Sequence, residues 1–349
     1  MVGGFYALFA HFLFHFKAKL PKDKTKSRDF SIVICLRNEE KNVPTLLRNL
    51  SALKYSGKFE ILLIDDNSTD LTVNLLLSGL KKLNNAQILS AKEKRFPNKK
   101  GALDIGINNA KYEFIALTDA DCAMPVDWLE YLNAGFESGA DIVFAPTPLR
   151  STGSFWGNIS QYESFRNHFV MFGSATIHFP YTATAGNLSY NKQAILGIGG
   201  YSNTVDSLGG DDDLLIREAV KNKLKIYPLP IREAAISTYS KTSYAEYIKQ
   251  KSRHISTSHH YLFKHKLYLA VWYLSQIIPM LLVPFVFIHP LYIVPFWLKC
   301  TLESGTALLF SRRLGFKIPF YRILMYPLFF EIFPVLHFVN SLRVDKEWK

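Results

Sequence analysis

Short apolar strands alternate with helices along the first part of this sequence, and this alternation limits the possible folds more than any other feature. Strands are predicted at Phe30–Leu36, Glu60–Ile64, Ala86–Ser90, Phe114–Leu117 and Asp141–Phe144. Helices are predicted at Asn42–Leu53, Leu71–Leu83, Lys100–Ala110 and Trp128–Phe136, the last with Asp127 as its cap. The pattern is typical of an α/β domain with a largely parallel sheet, whose ligands lie beyond the carboxyl ends of the strands.

Polar clusters follow three of the predicted strands. They are Arg37-Asn38-Glu39, Asp65-Asp66 and Asp119-Ala120-Asp121. Because parallel strands end at the same edge of a sheet, we expect these clusters to lie close together. The sequence therefore predicts a ligand site at that edge.

Asp119 and Asp121 end a buried apolar run and are spaced two residues apart. On an extended chain such residues face the same side, so both carboxylates can meet one ligand. Hard oxygen donors favour Mg²⁺ or Mn²⁺, which keep open positions for substrate phosphates. The alternative is a strand-end turn in which an aspartate caps the next helix.

A second acidic cluster, Asp211-Asp212-Asp213, enters a predicted helix. Acidic residues at a helix start complement the helix dipole, but three exceed what capping requires. At least one of them is expected to be free for chemistry. The preceding polar stretch, residues 182–189, is typical of a loop that forms a substrate wall and leads into a strand.

The chain of 349 residues has 41 Lys and Arg against 29 Asp and Glu, which favours an anionic partner such as a membrane surface or a phosphorylated substrate. It has no arginine-rich arm, zinc-finger spacing or RNA-binding signature, so we expect no nucleic-acid partner. Three widely spaced cysteines, Cys35, Cys122 and Cys300, indicate reduced thiols rather than a disulfide framework.

Apolar segments lie at both ends of the chain. Residues 2–16 contain no Asp, Glu, Lys or Arg and are followed by a basic stretch to residue 28. This apolar run is shorter than the roughly 20 residues that span a bilayer. Residues 1–28 are therefore predicted to be a short or tilted membrane anchor together with its basic flank. An interfacial helix and a buried helix of the soluble domain are the alternatives.

The soluble domain is predicted to cover residues 29–243, followed by a basic helix at a membrane surface over residues 244–266 and a transmembrane region over residues 267–349. Residues 267–298 carry no charge and contain four prolines, which predicts a hairpin of two spans with its turn near His289-Pro290, continuing to about Phe310. Arg312, Arg313 and Lys317 would then face the cytoplasm. Residues 323–342 form a last apolar stretch that spans or re-enters. The expected location is the inner (plasma) membrane, multi-pass, with the catalytic domain cytoplasmic.

Over about residues 31–254 the sequence resembles the inverting glycosyltransferases of family 2, a group that includes cellulose, chitin and hyaluronan synthases and ceramide glucosyltransferase. The resemblance rests on motifs in the expected order: residues 31–39 (SIVICLRNE), 64–70 (IDDNSTD), 98–104 (NKKGALD), 118–121 (TDAD), 210–217 (GDDDLLIR) and 250–254 (QKSRH). Gly210 stands where Glu is usual, and His254 stands where Trp is usual.

The resemblance implies a GT-A fold and a set of site residues. The nucleotide-sugar would be bound by Arg37, Glu39, Asp65, Asp66, Lys99, Asp119, Gln250 and Arg253, and Mg²⁺ or Mn²⁺ by Asp119 and Asp121. Asp211 would be the general base, with Asp212 as the alternative.

The implied activity is transfer of a sugar from a nucleotide-diphosphate donor, a UDP-sugar being favoured, to a hydroxyl of a lipid-linked or saccharide acceptor at the membrane. A polyprenyl-phosphate or ceramide-type lipid glycosyltransferase would use the same site. From a different class, the alternative is a membrane-anchored nucleotide-binding scaffold that has lost turnover.

Overall fold

A seven-stranded sheet lies at the centre of the α/β part of the molecule. The structure is a computed structural model that describes residues 2–22, 26–81, 83–205, 207 and 209–341. The strands of this sheet are β1 Phe30–Leu36, β2 Phe59–Asp65, β3 Ala86–Ser90, β4 Phe114–Leu117, β5 Ile142–Phe144, β7 Leu188–Asn191 and β8 Ile226–Pro228. Two short strands, β6 Leu149–Arg150 and β9 Thr238–Tyr239, pair with each other outside it. The sheet order is β3-β2-β1-β4-β7-β5-β8, with β7 antiparallel to both neighbours and the other pairs parallel. The predicted largely parallel α/β sheet is confirmed.

Helices cover both faces of this sheet. The α-helices of the described chain are α1 Val2–His15, α2 Val43–Ser51, α3 Thr72–Leu80, α4 Asn98–Asn109, α5 Trp128–Phe136, α6 Phe155–Thr176, α7 Lys192–Gly197, α8 Asp213–Lys221, α9 Tyr244–Ser258, α10 Phe263–Leu281, α11 Val294–Phe310, α12 Phe320–Met325 and α13 Ile332–Ser341. Successive residues of β1 join different cores: Val33 packs on the side of α4 and α6, whereas Ile32 and Ile34 pack on the side of α2, α3 and α5. Because both faces are buried, the strands are continuous apolar runs. Asp127 stands at the start of α5, but its side chain makes no cap hydrogen bond.

The long helix α6 was not predicted. It spans 22 residues and is buried on almost every side, with Ser154 capping its start by accepting from the Gly157 amide at 3.0 Å. Several buried positions are polar, among them Glu163, Arg166 and His168. The apolar spacing of an amphipathic helix is therefore missing from its sequence.

The first helix, α1, packs against protein along one face. Tyr6, Phe9 and Leu13 are buried in the core shared with α6 and α10, while Phe12 and Phe14 are exposed. The approach to α6 is close, because a Cβ placed on Gly173 would lie 2.5 Å from Cγ of Phe9. One face of α1 is therefore buried against protein, and the membrane anchor over residues 1–28 stays a prediction.

The segment 244–266 is not a single helix, and its place at a membrane surface stays a prediction. It divides into α9 and the start of α10, separated by residues 259–262. Tyr247, Lys251 and Ser252 of α9 are buried against the rest of the chain. Basic residues in this helix therefore include one that forms an internal ion pair, which the sequence pattern alone does not distinguish from a solvated charge.

The C-terminal helices expose many large apolar side chains, among them Phe263, Leu274, Leu281, Phe287, Leu291 and Leu309. Among the described residues, one helix, Phe263–Phe287, is long and apolar enough to cross a membrane. A second candidate, residues 320–328 with 332–339, is bent by 62° at its break. The turn that was predicted near His289-Pro290 lies at residues 288–289. The helix that follows, α11, is not purely apolar, because it carries buried Lys299 and Glu303, which are ion-paired at 2.7 Å. Residue 342, the predicted end of the last apolar stretch, lies outside the described residues.

Candidate active site

The loops after β1 and β2 lock together at the carboxyl edge of the sheet. Leu36 and Asp65 are paired at the ends of these two strands. Beyond them Asn38, with φ of 55°, accepts a hydrogen bond from the Thr69 amide at 2.8 Å, and the Glu39 amide donates to the Thr72 hydroxyl at 2.8 Å. Asparagine tolerates this left-handed backbone better than most residues. The loops that carry two of the three predicted clusters are therefore in direct contact.

The predicted nucleotide-binding residues of these loops differ in their surroundings. Asp65 accepts from the Ser68 amide at 3.2 Å, and Glu39 accepts from the Asn42 side chain at 2.6 Å. Asp66 is buried and ion-paired with Lys94, a residue that the sequence analysis did not select. The Nε of Arg37 is buried and has no hydrogen-bond partner within the described part of the chain.

Lys99, at the start of α4, joins two of the predicted clusters. Its Nζ lies 2.7 Å from Oδ1 of Asp119 and 2.9 Å from Oδ2 of Asp211. Burial alone would lower the pKa of Lys99, but the charges of Asp119 and Asp211 raise it well above its ordinary value. The lysine therefore stays charged, and it holds Asp119, which follows β4, close to Asp211, which precedes α8.

The donor atoms after β4 fit a divalent metal. One ligand atom each from Asp119, Asp121 and Cys122 lie within 4.8 Å of one another. Oδ2 of Asp119 faces Gly186, where an added Cβ would lie 3.4 Å from it, so the absence of a side chain keeps that oxygen accessible. Two carboxylates of this kind suit Mg²⁺ or Mn²⁺. The alternative reading of Asp119 and Asp121 as a helix cap is not supported, because the cap position of α5 is Asp127.

The three consecutive aspartates have different environments. Both oxygens of Asp212 are engaged, since the amides of Ala185 and Asp213 donate to them at 2.8 Å. Asp213 accepts from the Thr182 hydroxyl, and burial raises its pKa to about 6. Burial would also raise the pKa of Asp211, but Lys99 lowers it below the ordinary value, with a further contribution from Arg253. Of the three, Asp211 is the carboxylate held ionised towards Lys99.

Helix α9 brings Arg253 to the same place. A Cβ on Gly209 would lie 3.6 Å from Cγ of Arg253, and one on Gly210 would lie 2.7 Å from Cγ2 of Thr257. Gly210 also has φ of 79°, a backbone conformation that favours glycine. The turn before Asp211 therefore permits α9 to lie directly against it. Gln250 is half-buried on the same helix.

Arg217, the last residue of the acidic motif, has a structural role in this arrangement. Its guanidinium donates to the backbone carbonyls of His260 at 3.0 Å and Asn203 at 2.5 Å, and it pairs with Glu218 at 2.7 Å. These bonds tie α8 to the segment that follows α9. Arg217 thus helps to fix the orientation of both helices.

Two contacts behind the site were missed by sequence reasoning. The Thr147 amide donates to Nε2 of His168 at 3.0 Å, and Nδ1 of His168 lies 2.8 Å from the Ser164 carbonyl, so Nδ1 carries the proton. The methyl group of Thr147 lines the same space at Gly186 as Asp119. A lone histidine and a glycine give no periodic or motif signal that would have selected them.

Family comparisons agree with this geometry. The sequence model for Glycosyl transferase family 2 matches residues 31–192, and that for Glycosyl transferase family group 2 matches residues 114–333, well over half of the chain. The α/β fold with its strand-end site is therefore that of a glycosyltransferase. The chain belongs to glycosyl transferase family group 2.

Individual relatives match only parts of the chain. A beta-monoglucosyldiacylglycerol synthase of Nostoc sp. is 35% identical over 100 residues, which is 28% of this chain and 21% of that protein. A poly-beta-1,6-N-acetyl-D-glucosamine synthase of Staphylococcus aureus is 28% identical over 160 residues, 43% of this chain and 38% of that protein. The matches thus span well under half of either relative.

A solved mannosyltransferase from Pyrobaculum calidifontis, in complex with GDP-Man and Mn²⁺, has the same fold. It superposes with a TM-score of 0.62 at 14% identity, covering 99% of this chain and 100% of that chain. At this identity the likeness concerns the fold alone. It confirms the predicted GT-A architecture.

Proposed function

We propose that this glycosyltransferase moves a sugar from a nucleotide-diphosphate donor, a UDP-sugar being favoured, to a hydroxyl group of a lipid-linked or saccharide acceptor, with inversion at the anomeric carbon. The observation that carries the proposal is the Asp119–Lys99–Asp211 arrangement, with distances of 2.7 and 2.9 Å. In this proposal Asp119 is the carboxylate on the diphosphate side and Asp211 is the carboxylate that acts as base, and Lys99 holds both. A donor and an acceptor can meet between them.

Asp211 is proposed as the general base. Lys99 lowers its pKa, so the carboxylate is ionised and able to accept the proton of an attacking hydroxyl. Attack from the face opposite the diphosphate is a single displacement, which inverts the anomeric carbon. Asp212 is a weaker candidate because two backbone amides already occupy its oxygens.

The leaving diphosphate needs positive charge. Asp119 and Asp121 would hold a divalent cation, Mg²⁺ or Mn²⁺, which stabilises the charge that develops on the leaving group. From the chain itself, Lys99 and Arg253 add positive charge on the same side. In this proposal the loops that carry Arg37, Glu39, Asp65 and Asp66 bind the nucleoside part, and Gln250 also contacts the nucleotide-sugar.

The acceptor and the location are proposed from the apolar surface of α10 to α13. Exposed side chains such as Phe287 and Leu281 suit contact with lipid, which supports a site at the cytoplasmic face of the inner (plasma) membrane with more than one membrane-crossing segment. The two relatives are named for a diacylglycerol lipid and for a polysaccharide. Product analysis distinguishes a lengthening polymer from a single-sugar lipid, including the polyprenyl-phosphate and ceramide-type alternatives.

The test is turnover of UDP-, GDP- and dTDP-sugars by the purified full chain with Mn²⁺. Asp211→Asn is expected to abolish transfer and leave metal-dependent nucleotide binding intact. Asp121→Ala is expected to remove the metal dependence of donor binding. Asp213→Asn is the matched control, because asparagine can still accept from Thr182 and transfer should persist.

Each outcome against this expectation has a definite meaning. Loss of nucleotide binding in Asp211→Asn reassigns that residue to the donor site. Unchanged metal dependence in Asp121→Ala removes the metal assignment. Wild-type protein that turns over none of the donors favours the nucleotide-binding scaffold.

A further inference from the structure

A buried polar cluster lies on the side of α9 that faces away from the active site. Oε2 of Glu163, on α6, accepts from the Tyr247 hydroxyl at 2.5 Å and lies 2.9 Å from Nζ of Lys251. His337, on α13, reaches the same hydroxyl at 2.8 Å and Glu163 at 4.0 Å. We call Glu163, Tyr247, Lys251 and His337 the α9 clamp.

The clamp and the active-site residue Arg253 lie on different faces of α9. Tyr247 and Lys251 are four residues apart and share one face, whereas Lys251 and Arg253 are two residues apart and so lie about 200° apart around the helix. The Arg253 face rests on the Gly209-Gly210 turn that precedes Asp211. Helix α9 is therefore held between the turn on one side and α6 with α13 on the other.

The ion pair of the clamp is largely shielded from water. The Glu163 and Lys251 side chains are 11% and 9% exposed, so water screens their attraction little. Burial alone would raise the pKa of Glu163, but the charge of Lys251 lowers it below the ordinary value, so the carboxylate is ionised. Removing one partner from such a pair leaves the other buried without compensation.

We propose, resting on the role assigned to Arg253 under Proposed function, that Glu163 is a positioning residue for the diphosphate subsite: through Lys251 and Tyr247 it holds α9 so that Arg253 meets the leaving diphosphate. Glu163 touches no substrate. Its effect on the reaction passes through the placement of one helix. Because α13 supplies His337, the same contact links the apolar C-terminal region to the diphosphate subsite.

A second buried glutamate on α11 provides a matched control. Glu303 also accepts from a tyrosine hydroxyl, Tyr162 at 2.9 Å, and it has two cationic partners, Arg166 at 2.9 Å and Lys299 at 2.7 Å. This cluster joins α6 to α11 and does not include α9. Glu303→Gln should therefore match Glu163→Gln in lost stability without moving Arg253.

The experiment measures binding of a nucleoside diphosphate and of the corresponding monophosphate, for uridine and guanosine, to the full chain by calorimetry at fixed Mn²⁺. The monophosphate lacks the phosphate that Arg253 is proposed to hold. Arg253→Ala should weaken diphosphate binding about tenfold relative to the monophosphate, since a charge-assisted hydrogen bond is lost. The quantity compared is the ratio of diphosphate affinity to monophosphate affinity. Glu163→Gln should lower this ratio about fivefold, and Glu303→Gln should leave it unchanged.

A double variant and a milder variant complete the test. Glu163→Gln combined with Arg253→Ala should bind no more weakly than Arg253→Ala alone, because both changes act on one contact. If Glu163→Gln fails to fold, Tyr247→Phe removes only the hydroxyl that donates to Glu163 and should lower the ratio about twofold.

The outcomes separate this inference from the function on which it rests. A wild-type ratio in the folded Glu163→Gln or Tyr247→Phe variant, with Arg253→Ala impaired, overturns the positioning role and leaves the function standing. Equal loss of the ratio in Glu303→Gln also overturns it, since the effect is then general destabilisation. An unchanged ratio in Arg253→Ala, or no diphosphate binding by wild type, refutes the proposed role of Arg253 and the inference with it.

Discussion

Replacing Gly210 with alanine tests the contact between α9 and the turn before the proposed base. Gly210 has φ of 79°, and a Cβ there would lie 2.7 Å from Cγ of Leu214 and from Cγ2 of Thr257. A left-handed conformation at a non-glycine residue costs about 1–2 kcal/mol, and crowding in a packed site adds about 1–3 kcal/mol. We expect Gly210→Ala to lower the free energy of unfolding by about 2–5 kcal/mol.

Gly139 provides a control that separates the two contributions. It has φ of 73°, but a Cβ there would meet no atom within 4 Å. Gly139→Ala should therefore lose only about 1–2 kcal/mol. The difference between the variants, about 1–3 kcal/mol, measures the contact of the turn with α8 and α9.

The assay is urea unfolding of both variants, with sugar-transfer rates measured on the folded proteins. Gly210→Ala should also slow transfer about tenfold or more, because Asp211 and Arg253 are displaced relative to each other. Thr257→Ser removes the methyl group that the new Cβ meets, and in the double variant it should restore part of both losses. Equal losses in Gly210→Ala and Gly139→Ala, or no restoration by Thr257→Ser, would refute the close packing of α9 on this turn.

Three further predictions concern other parts of the molecule. Lys99→Met leaves Asp119 and Asp211 without their shared cation, so without metal it should lower the free energy of unfolding by about 2–3 kcal/mol. Because the lysine then no longer competes with metal, Mn²⁺ should raise the melting temperature of the variant more than that of wild type. An equal rise in both proteins contradicts this competition. His168 is buried, which lowers its pKa to about 4, so its neutral form stabilises the fold above pH 6.5 and this stability is lost as the pH falls towards 4. Over that range the wild type should lose about 2–3 kcal/mol more than His168→Gln in urea titrations, and parallel pH curves contradict this. Phe9→Ala, at a fully buried position, should lower stability by about 3 kcal/mol, whereas Phe14→Ala, 66% exposed, should change it little; equal effects contradict the packing of α1 on α6.

The sheet was predictable because its strands are buried on both faces. Phe30–Leu36, Ala86–Ser90 and Phe114–Leu117 have the predicted bounds. The observed β2 is one residue longer than predicted at each end, and β5 begins one residue later. Continuous apolar runs between polar loops carry this information locally. The helix ends of α2, α3 and α4 shifted by up to three residues, since end positions depend on capping and tertiary contacts.

Contacts between distant residues were predictable only in part. The common edge of the polar clusters follows from parallel strand topology, but the Lys99–Asp211 pair joins residues 112 positions apart and has no local signal. The ion pair of Lys94 with Asp66 also has no local signal in the sequence. Nor does the pair of Lys251 with Glu163, because a lysine in a basic helix is expected to face solvent. Helix α6 was missed because its buried polar residues find partners on other helices, such as Glu331 for Arg166.

The packing of α1 has a consequence for biosynthesis. Its Tyr6 hydroxyl donates to the Gln276 side chain at 3.0 Å, a partner 270 residues later in the chain, and the Phe16 carbonyl accepts from Arg313 at 2.9 Å. At about 5–20 residues per second, the first helix waits roughly 15–55 s after its own synthesis before these partners leave the ribosome. During that interval the aromatic face of α1 needs another apolar surface, so α1 reaches its final contacts long after its own synthesis.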